Sequence, residues 1–208
     1  MGKVVALANQ KGGVGKTTTA VNLSAALAYR TRGRVLLVDS DPQGNATSGL
    51  GINKREVKHS VYDVVIGNCS AKEAVIRTKY KNLDIIPSSI DLAAAEIELV
   101  DMENRALRLK NALATIQQDY DYICIDCPPS LGLLTLNALA ACTSILVPIQ
   151  CEFYALEGLS QLMITIGKIK NHYNSNLNVT GILITMYTNR LLLTQQVKNE
   201  LKKHYSGK

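Results

Sequence analysis

Lys11-Gly12-Gly13-Val14-Gly15-Lys16-Thr17-Thr18 is the stretch from which the fold of this chain can be read. Before it stands an apolar run, Val4-Val5-Ala6-Leu7-Ala8, that reads as a buried strand. After it, Thr19-Ala20-Val21-Asn22-Leu23-Ser24-Ala25-Ala26-Leu27-Ala28 has the apolar spacing of a helix. A glycine-rich turn between strand and helix lets backbone N–H groups converge on an anion without Cβ clashes. The helix N-terminus adds partial positive charge. Lys16 has the reach to touch terminal phosphates, and the Thr17 hydroxyl suits Mg²⁺. An ordinary Gly-x-x-x-x-Gly-Lys-Thr loop ending at Thr17 needs glycine at position 10, where this chain has Gln10. A second lysine, Lys11, stands inside the loop instead, and a phosphate contact is the reason to place one there.

Outward from the loop, strand and helix signals alternate to the end of the chain. The strands expected are Val4–Ala8, Val35–Asp39, Leu83–Ile86, Tyr122–Asp126, Ser144–Ile149 and Val179–Thr185. The helices expected are Thr17–Tyr29, Leu92–Val100, Asn104–Gln118, Leu131–Ala141, Ala155–His172 and Thr194–His204, with a shorter piece at Val61–Ile66. This alternation predicts an α/β fold: a doubly wound, mainly parallel sheet flanked by helices. Ligands of such sheets sit outside the C-terminal strand ends. No linker or repeat divides residues 1–208, so one domain is expected. Gly44–Ser60 reads as a surface loop, either ordering on ligand or a passive connector.

Composition agrees. Of the 208 residues, 47% are hydrophobic and 19% charged, which excludes a disordered chain. One Phe and no Trp leave a core of Val, Ile, Leu and Ala, as expected of a covered parallel sheet. A net charge of +6 permits a polyanionic partner without requiring one. No apolar run reaches membrane-spanning length, and the chain enters a strand at Lys3 with no signal peptide. Cys69, Cys124, Cys127, Cys142 and Cys151 read as structural thiols in a reducing cytosol. Cys124-Ile125-Asp126-Cys127 has redox or metal spacing but no second pair or clustered His nearby.

Two further strands end in acid. Val35-Leu36-Leu37-Val38-Asp39-Ser40-Asp41-Pro42 carries two aspartates ahead of a proline that stops the ladder. Tyr122-Ile123-Cys124-Ile125-Asp126-Cys127-Pro128-Pro129 ends in one aspartate closed by two prolines. An acid at a strand tip beside a phosphate loop holds Mg²⁺ or orients an attacking water.

Together these motifs resemble the deviant-Walker P-loop ATPases of the ParA/Soj partition family, related to MinD and the nitrogenase iron protein. Lys11–Thr18 is similar to that family's deviant Walker A, Asp39–Thr47 to its A′ motif and Asp126–Gly132 to its Walker B. Pro148–Gly158 and Thr185–Arg190 match as well. The resemblance implies ATP and Mg²⁺ as cofactors. It implies that Lys11, Gly12, Gly13, Val14, Gly15, Lys16, Thr17 and Thr18 bind nucleotide, joined by Met186. Lys11 would reach across an ATP-dependent homodimer to the partner's phosphates. Thr17 and Asp126 would ligate the metal with Asp41, which also positions water, supported by Asp39. Arg190 would bind DNA without sequence preference, at the nucleoid. A ParB/Spo0J-type partner would stimulate slow hydrolysis. Set against the family, the sequence is either a fragment or a naturally shortened member. The family continues with a further strand, an Ile-Pro-Arg-Asn-type segment near adenine and a final helix, beyond His204-Tyr205-Ser206-Gly207-Lys208.

Three other functions are weighed. A MinD-like membrane-surface ATPase needs an amphipathic terminal helix, and Thr194–His204 lacks large apolar anchors. An iron–sulfur reductase needs cysteines bridging subunits, and none follows directly after Gly132. A nucleotide-binding remnant would bind ATP without turnover.

Overall fold

The computed structural model describes residues 2–205; the last three residues quoted above lie outside them. In chain order the elements are β1 (Lys3–Leu7), α1 (Lys16–Thr31), β2 (Val35–Asp39), α2 (Asn45–Gly49), α3 (Val61–Ile66) and α4 (Ala71–Ala74). There follow β3 (Ile76–Arg77), β4 (Leu83–Ile86), α5 (Leu92–Glu98), α6 (Arg108–Ala114) and β5 (Tyr122–Asp126). The remainder is α7 (Leu133–Ala141), β6 (Ser144–Gln150), α8 (Ala155–His172), β7 (Asn178–Thr185) and α9 (Leu192–Tyr205).

The seven strands form one sheet in the order β3-β4-β2-β5-β1-β6-β7. Every pairing is parallel except β3 with β4. All five residues of β2 are buried, because helices cover both faces. Its alternation divides the core in two. Val35 and Leu37 join Ala20 and Ala28 of α1 and Ala46 of α2. Leu36 and Val38 join the larger cluster formed by α3 to α9.

The crossovers set the position of the site. The connection from β1 through α1 runs to β2 on one side of β1, while that from β5 through α7 runs over β1 to β6 on the other. The strand order reverses there, and a crevice opens at the C-terminal tips. Register aligns the tips: Leu7 pairs with Asp126, and Asp126 with Asp39.

All six expected strands form. The two-residue β3 is too short for a periodic signal. The surface-loop reading of Gly44–Ser60 is corrected: Asn45–Gly49 is helical and Ala46 and Thr47 are buried, because Thr47 bonds a core aspartate. The helix expected over Asn104–Gln118 shrinks to Arg108–Ala114 with a 3-10 turn at Gln117–Asp119. Asn104 stands in a left-handed conformation (φ 54°), outside any helix. Helix α9 begins two residues before the expected start, taking in Leu192 and Leu193.

Candidate nucleotide and metal site

Loop geometry follows from its glycines. Gly13 (φ 74°) and Gly15 (φ 85°) hold left-handed conformations that a Cβ would strain. Gly15 stands immediately before α1, which has no side-chain cap and no acid in its first turn. Its first N–H groups and helix dipole therefore face the loop without an internal anion. Asn9 braces the entry: its amide donates to the Pro148 carbonyl (2.7 Å), and its Oδ1 accepts from the Lys11 N–H (3.0 Å). Thr185 at the tip of β7 braces the far side, its hydroxyl donating to the Val14 carbonyl (2.8 Å).

Both loop cations have protein partners. Lys16 is 6% exposed and donates to the Lys11 carbonyl (2.9 Å). Burial lowers its pKa, opposed chiefly by the charge of Asp126. Lys11 forms an ion pair with Glu152, which follows β6. The neighbouring Phe153 and Tyr154 form an edge-to-face pair and are 75% and 68% exposed. Gly12, Gly13 and Thr18 are exposed, and Val14 is buried under the loop.

Three acids meet at the tips. Asp126 is fully buried, and neither carboxylate oxygen receives a hydrogen bond of good geometry. Burial pushes its pKa up to about 7, with Asp39 and Asp41 pushing the same way. The Thr17 hydroxyl and the Lys16 ammonium beside it oppose that rise only in part. A buried, unpartnered carboxylate is costly, and a cation is its natural complement.

Asp39 is equally buried, but its oxygens are used. Oδ2 accepts from the Thr47 N–H (2.7 Å) and hydroxyl (2.6 Å), and Oδ1 accepts weakly from the Asp41 N–H (3.4 Å). Burial still raises its pKa to about 6. Asp41, 7% exposed, turns Oδ1 onto the Gln43 N–H (2.9 Å). Ser88 at the tip of β4 ties the group together: its hydroxyl donates to the Asp41 carbonyl (2.6 Å), and its N–H to the Thr47 hydroxyl (2.9 Å). Asp39 is thus a brace for the Asp41 turn.

The donor set fits magnesium held through a nucleotide. Among the described residues no group of three His, Cys, Asp or Glu gathers as a metal cage. Mg²⁺ commonly takes one or two protein oxygens and leaves the rest to phosphates and water. Thr17 with Asp126 supplies that number beside a phosphate cradle.

Sequence reading brings Lys11 to Thr18, Asp39, Asp41 and Asp126 to one crevice. Met186 follows β7 with φ 49° and is 57% exposed, one residue beyond the Thr185 brace. Arg190 is exposed in the turn before α9. Lys198 folds onto Tyr187, donating to its phenol (3.2 Å) with the ammonium over the ring. Lys202 and Lys203 are exposed. Asn9, Thr47, Ser88, Glu152 and Thr185 were assigned no role from sequence. Their types are common in loops, and only long-range contacts reveal them. Cys124, Cys127, Cys142 and Cys151 are buried and unpaired. Burial raises every one of these thiols, so none is poised as a thiolate.

Comparison with known proteins adds to this geometry. Residues 2–179 match a family model described as an AAA domain. The chain is 56% identical over 208 residues to the sporulation initiation inhibitor protein Soj of Bacillus subtilis, covering 100% of this chain and 82% of that protein. It is 50% identical over 205 residues to the chromosome partitioning protein ParA of Myxococcus xanthus, covering 99% and 72%. A crystal structure titled cobyrinic acid a,c-diamide synthase, from Mycobacterium smegmatis with bound ADP and magnesium, superimposes with a TM-score of 0.93 at 42% identity, covering 99% and 83%. Likeness of this extent, along the whole chain and over a loop built for phosphate, means that the chain belongs to the Soj/ParA family of P-loop chromosome-partitioning proteins.

Proposed function

We propose that the chain is an ATP-switched partition ATPase. Its loop grips the triphosphate of Mg-ATP, and two nucleotide-bound copies pair and hold DNA until hydrolysis releases them. The observation that carries this reading is Asp126: two bare, buried carboxylate oxygens beside Thr17, Lys16 and an uncapped helix N-terminus.

Each residue then has a defined task. Phosphate oxygens replace the Lys11 carbonyl as acceptor for Lys16. Backbone N–H groups from Gly12 to Thr18 take the remaining phosphate charge. When bound, Mg²⁺ supplies charge neutralisation to the phosphates, and Thr17 and Asp126 hold it. Asp41 keeps one oxygen off its own turn to orient water, and Asp39 fixes that turn through Thr47. Lys11 leaves Glu152 for the phosphates of the facing copy, acting as an in-trans cation of the arginine-finger kind. Met186 borders the nucleotide from the end of β7. Arg190, with Lys202 and Lys203, contacts DNA phosphates, a salt-sensitive mode of binding. A ParB/Spo0J-type partner stimulates turnover.

Phosphate release by the full chain with DNA and a ParB-type protein tests this. Turnover is expected to rise with partner and to fall to background in Asp41→Ala. Background release by the unaltered chain with partner and DNA present would overturn the ATPase reading.

A further inference from the structure

At the opposite end of the sheet, a hollow of about 430 Å³ lies between the C-terminus of α1 and the β3–β4 hairpin. It is lined by Ala25, Ala28, Tyr29 and Arg32 on the α1 side and by Tyr80 and Lys81 on the hairpin. Among the described residues no carboxylate lines it. Tyr29 is 85% exposed and Tyr80 44% exposed, large aromatic areas to leave in water.

The two walls are fixed to each other. Arg32 ends α1 in a left-handed conformation (φ 56°), and Asn82 turns the hairpin in another (φ 63°). The Asn82 amide donates to the Arg32 carbonyl (3.2 Å), and the Asn82 carbonyl accepts from the Val35 N–H (2.9 Å). The Tyr80 N–H donates to the Thr78 hydroxyl (3.1 Å), which donates to the Leu83 carbonyl (2.7 Å). The Asn82 side chain and backbone thus tie the hairpin to the end of α1 and the start of β2.

The charge left without a carboxylate partner around it is positive. Arg30, Arg32, Lys79 and Lys81 are exposed, and among the described residues none forms an ion pair, although the Lys79 ammonium lies 5.4 Å from the Tyr80 ring centroid and must move aside for a base. The nearby acids are engaged. Asp84 accepts from the Tyr120 phenol (3.0 Å) and lies 3.9 Å from Arg34, and Asp121 accepts from the Arg34 N–H (2.8 Å). Cations alone describe a solvated face. Cations around an aromatic-lined apolar hollow suit a ligand with flat apolar faces and repeated negative charge. Arg32 and Lys81 put a cation on each of its two walls. A duplex keeps its bases stacked on each other and offers the tyrosines no free face.

We propose that this surface binds single-stranded nucleic acid, with bases on Tyr29 and Tyr80 and phosphates on Arg32 and Lys81. It lies at the N-terminal end of β4, near the β3 edge of the sheet. The phosphate loop is at the C-terminal ends, and Arg190 follows β7 at the other edge. The two surfaces are separate, so this binding needs no ATP.

The test is fluorescence anisotropy of a labelled oligothymidine on the full chain without nucleotide. Tyr29→Ala/Tyr80→Ala is expected to weaken binding about fivefold or more, and Tyr29→Phe/Tyr80→Phe to restore it. Arg32→Gln/Lys81→Gln is expected to weaken binding and flatten its salt dependence. The titration is made without ATP, where the ATP-dependent DNA contact through Arg190 is not engaged, which keeps this result separate from the ATPase reading. Unchanged affinity in the tyrosine-to-alanine variant would overturn the proposal. So would equal competition by a duplex of the same length, or displacement by AMP at matched nucleotide concentration.

Discussion

The strand-tip cluster and the β7–α9 edge hold charge in opposite ways. At the tips of β1, β2 and β5, three carboxylates and Lys16 are buried, and parallel register sets Asp39 beside Asp126. Along the edge, Arg190, Lys202 and Lys203 stand in water, placed by a turn and a helix surface. Burial makes the first set costly and exacting, so each member is answerable to its neighbours. Exposure makes the second set cheap and replaceable, and its effects are additive and salt-dependent. Mutations in the first region are therefore expected to alter nucleotide binding, stability and pH response together. Those in the second should alter DNA affinity alone.

The largest effect is expected for Lys16→Ala. Loss of a buried, charge-assisted phosphate contact should weaken ATP roughly 100-fold by calorimetric titration. A change below threefold would break the contrast.

Asp126→Asn follows, and its effects have opposite signs with and without ligand. The amide should abolish the gain in ATP affinity that Mg²⁺ confers. Without ligand it should stabilise the chain. The folded-state pKa of Asp126, about 7, lies above its unfolded value near 4. Its contribution to stability is therefore full below about pH 4 and is lost as pH rises through about 7. Asp39, at about 6, adds a loss of the same sign. The variant should melt several degrees above the unaltered chain at pH 8, and the gap should close by about pH 4. A destabilised variant at pH 8 would mean that Asp126 is partnered after all.

The edge should respond more weakly. Arg190→Ala should lower ATP-dependent DNA affinity several-fold and reduce the log–log salt slope by about one. Melting temperature and ATP affinity should not move. Coupled loss of all three would place Arg190 in the core network.

Glu152→Gln sharpens the contrast at its boundary. Its ion pair with Lys11 is about as exposed as a surface pair, with side chains 43% and 35% accessible. Releasing Lys11 should tighten ATP about two- to fivefold. Weaker ATP binding would show that Glu152 contributes to the loop beyond holding its lysine.

The same division explains what could be read from sequence. Loop glycines, strand-ending acids and apolar runs are local signals, and each lies at or beside an element boundary. They sufficed for the sheet class, six strands and the meeting of Lys16 with Asp126. Thr47 was hidden because its partner, Asp39, lies eight residues away across a turn and its helix has five residues. Glu152 was hidden because its partner lies 141 positions away. β3 was hidden because two residues carry no period. The residues implied only by family likeness, Met186 and Arg190, lie where the fold constrains side chains least.

Calorimetric titration of ATP into the full chain at pH 8, with and without Mg²⁺, tests most directly whether the buried tip carboxylate exists to hold a metal. Mg²⁺ should tighten ATP about tenfold or more, with the gain shrinking toward pH 6 as Asp126 takes up its proton. Equal affinity with and without Mg²⁺ at pH 8 would contradict the assignment.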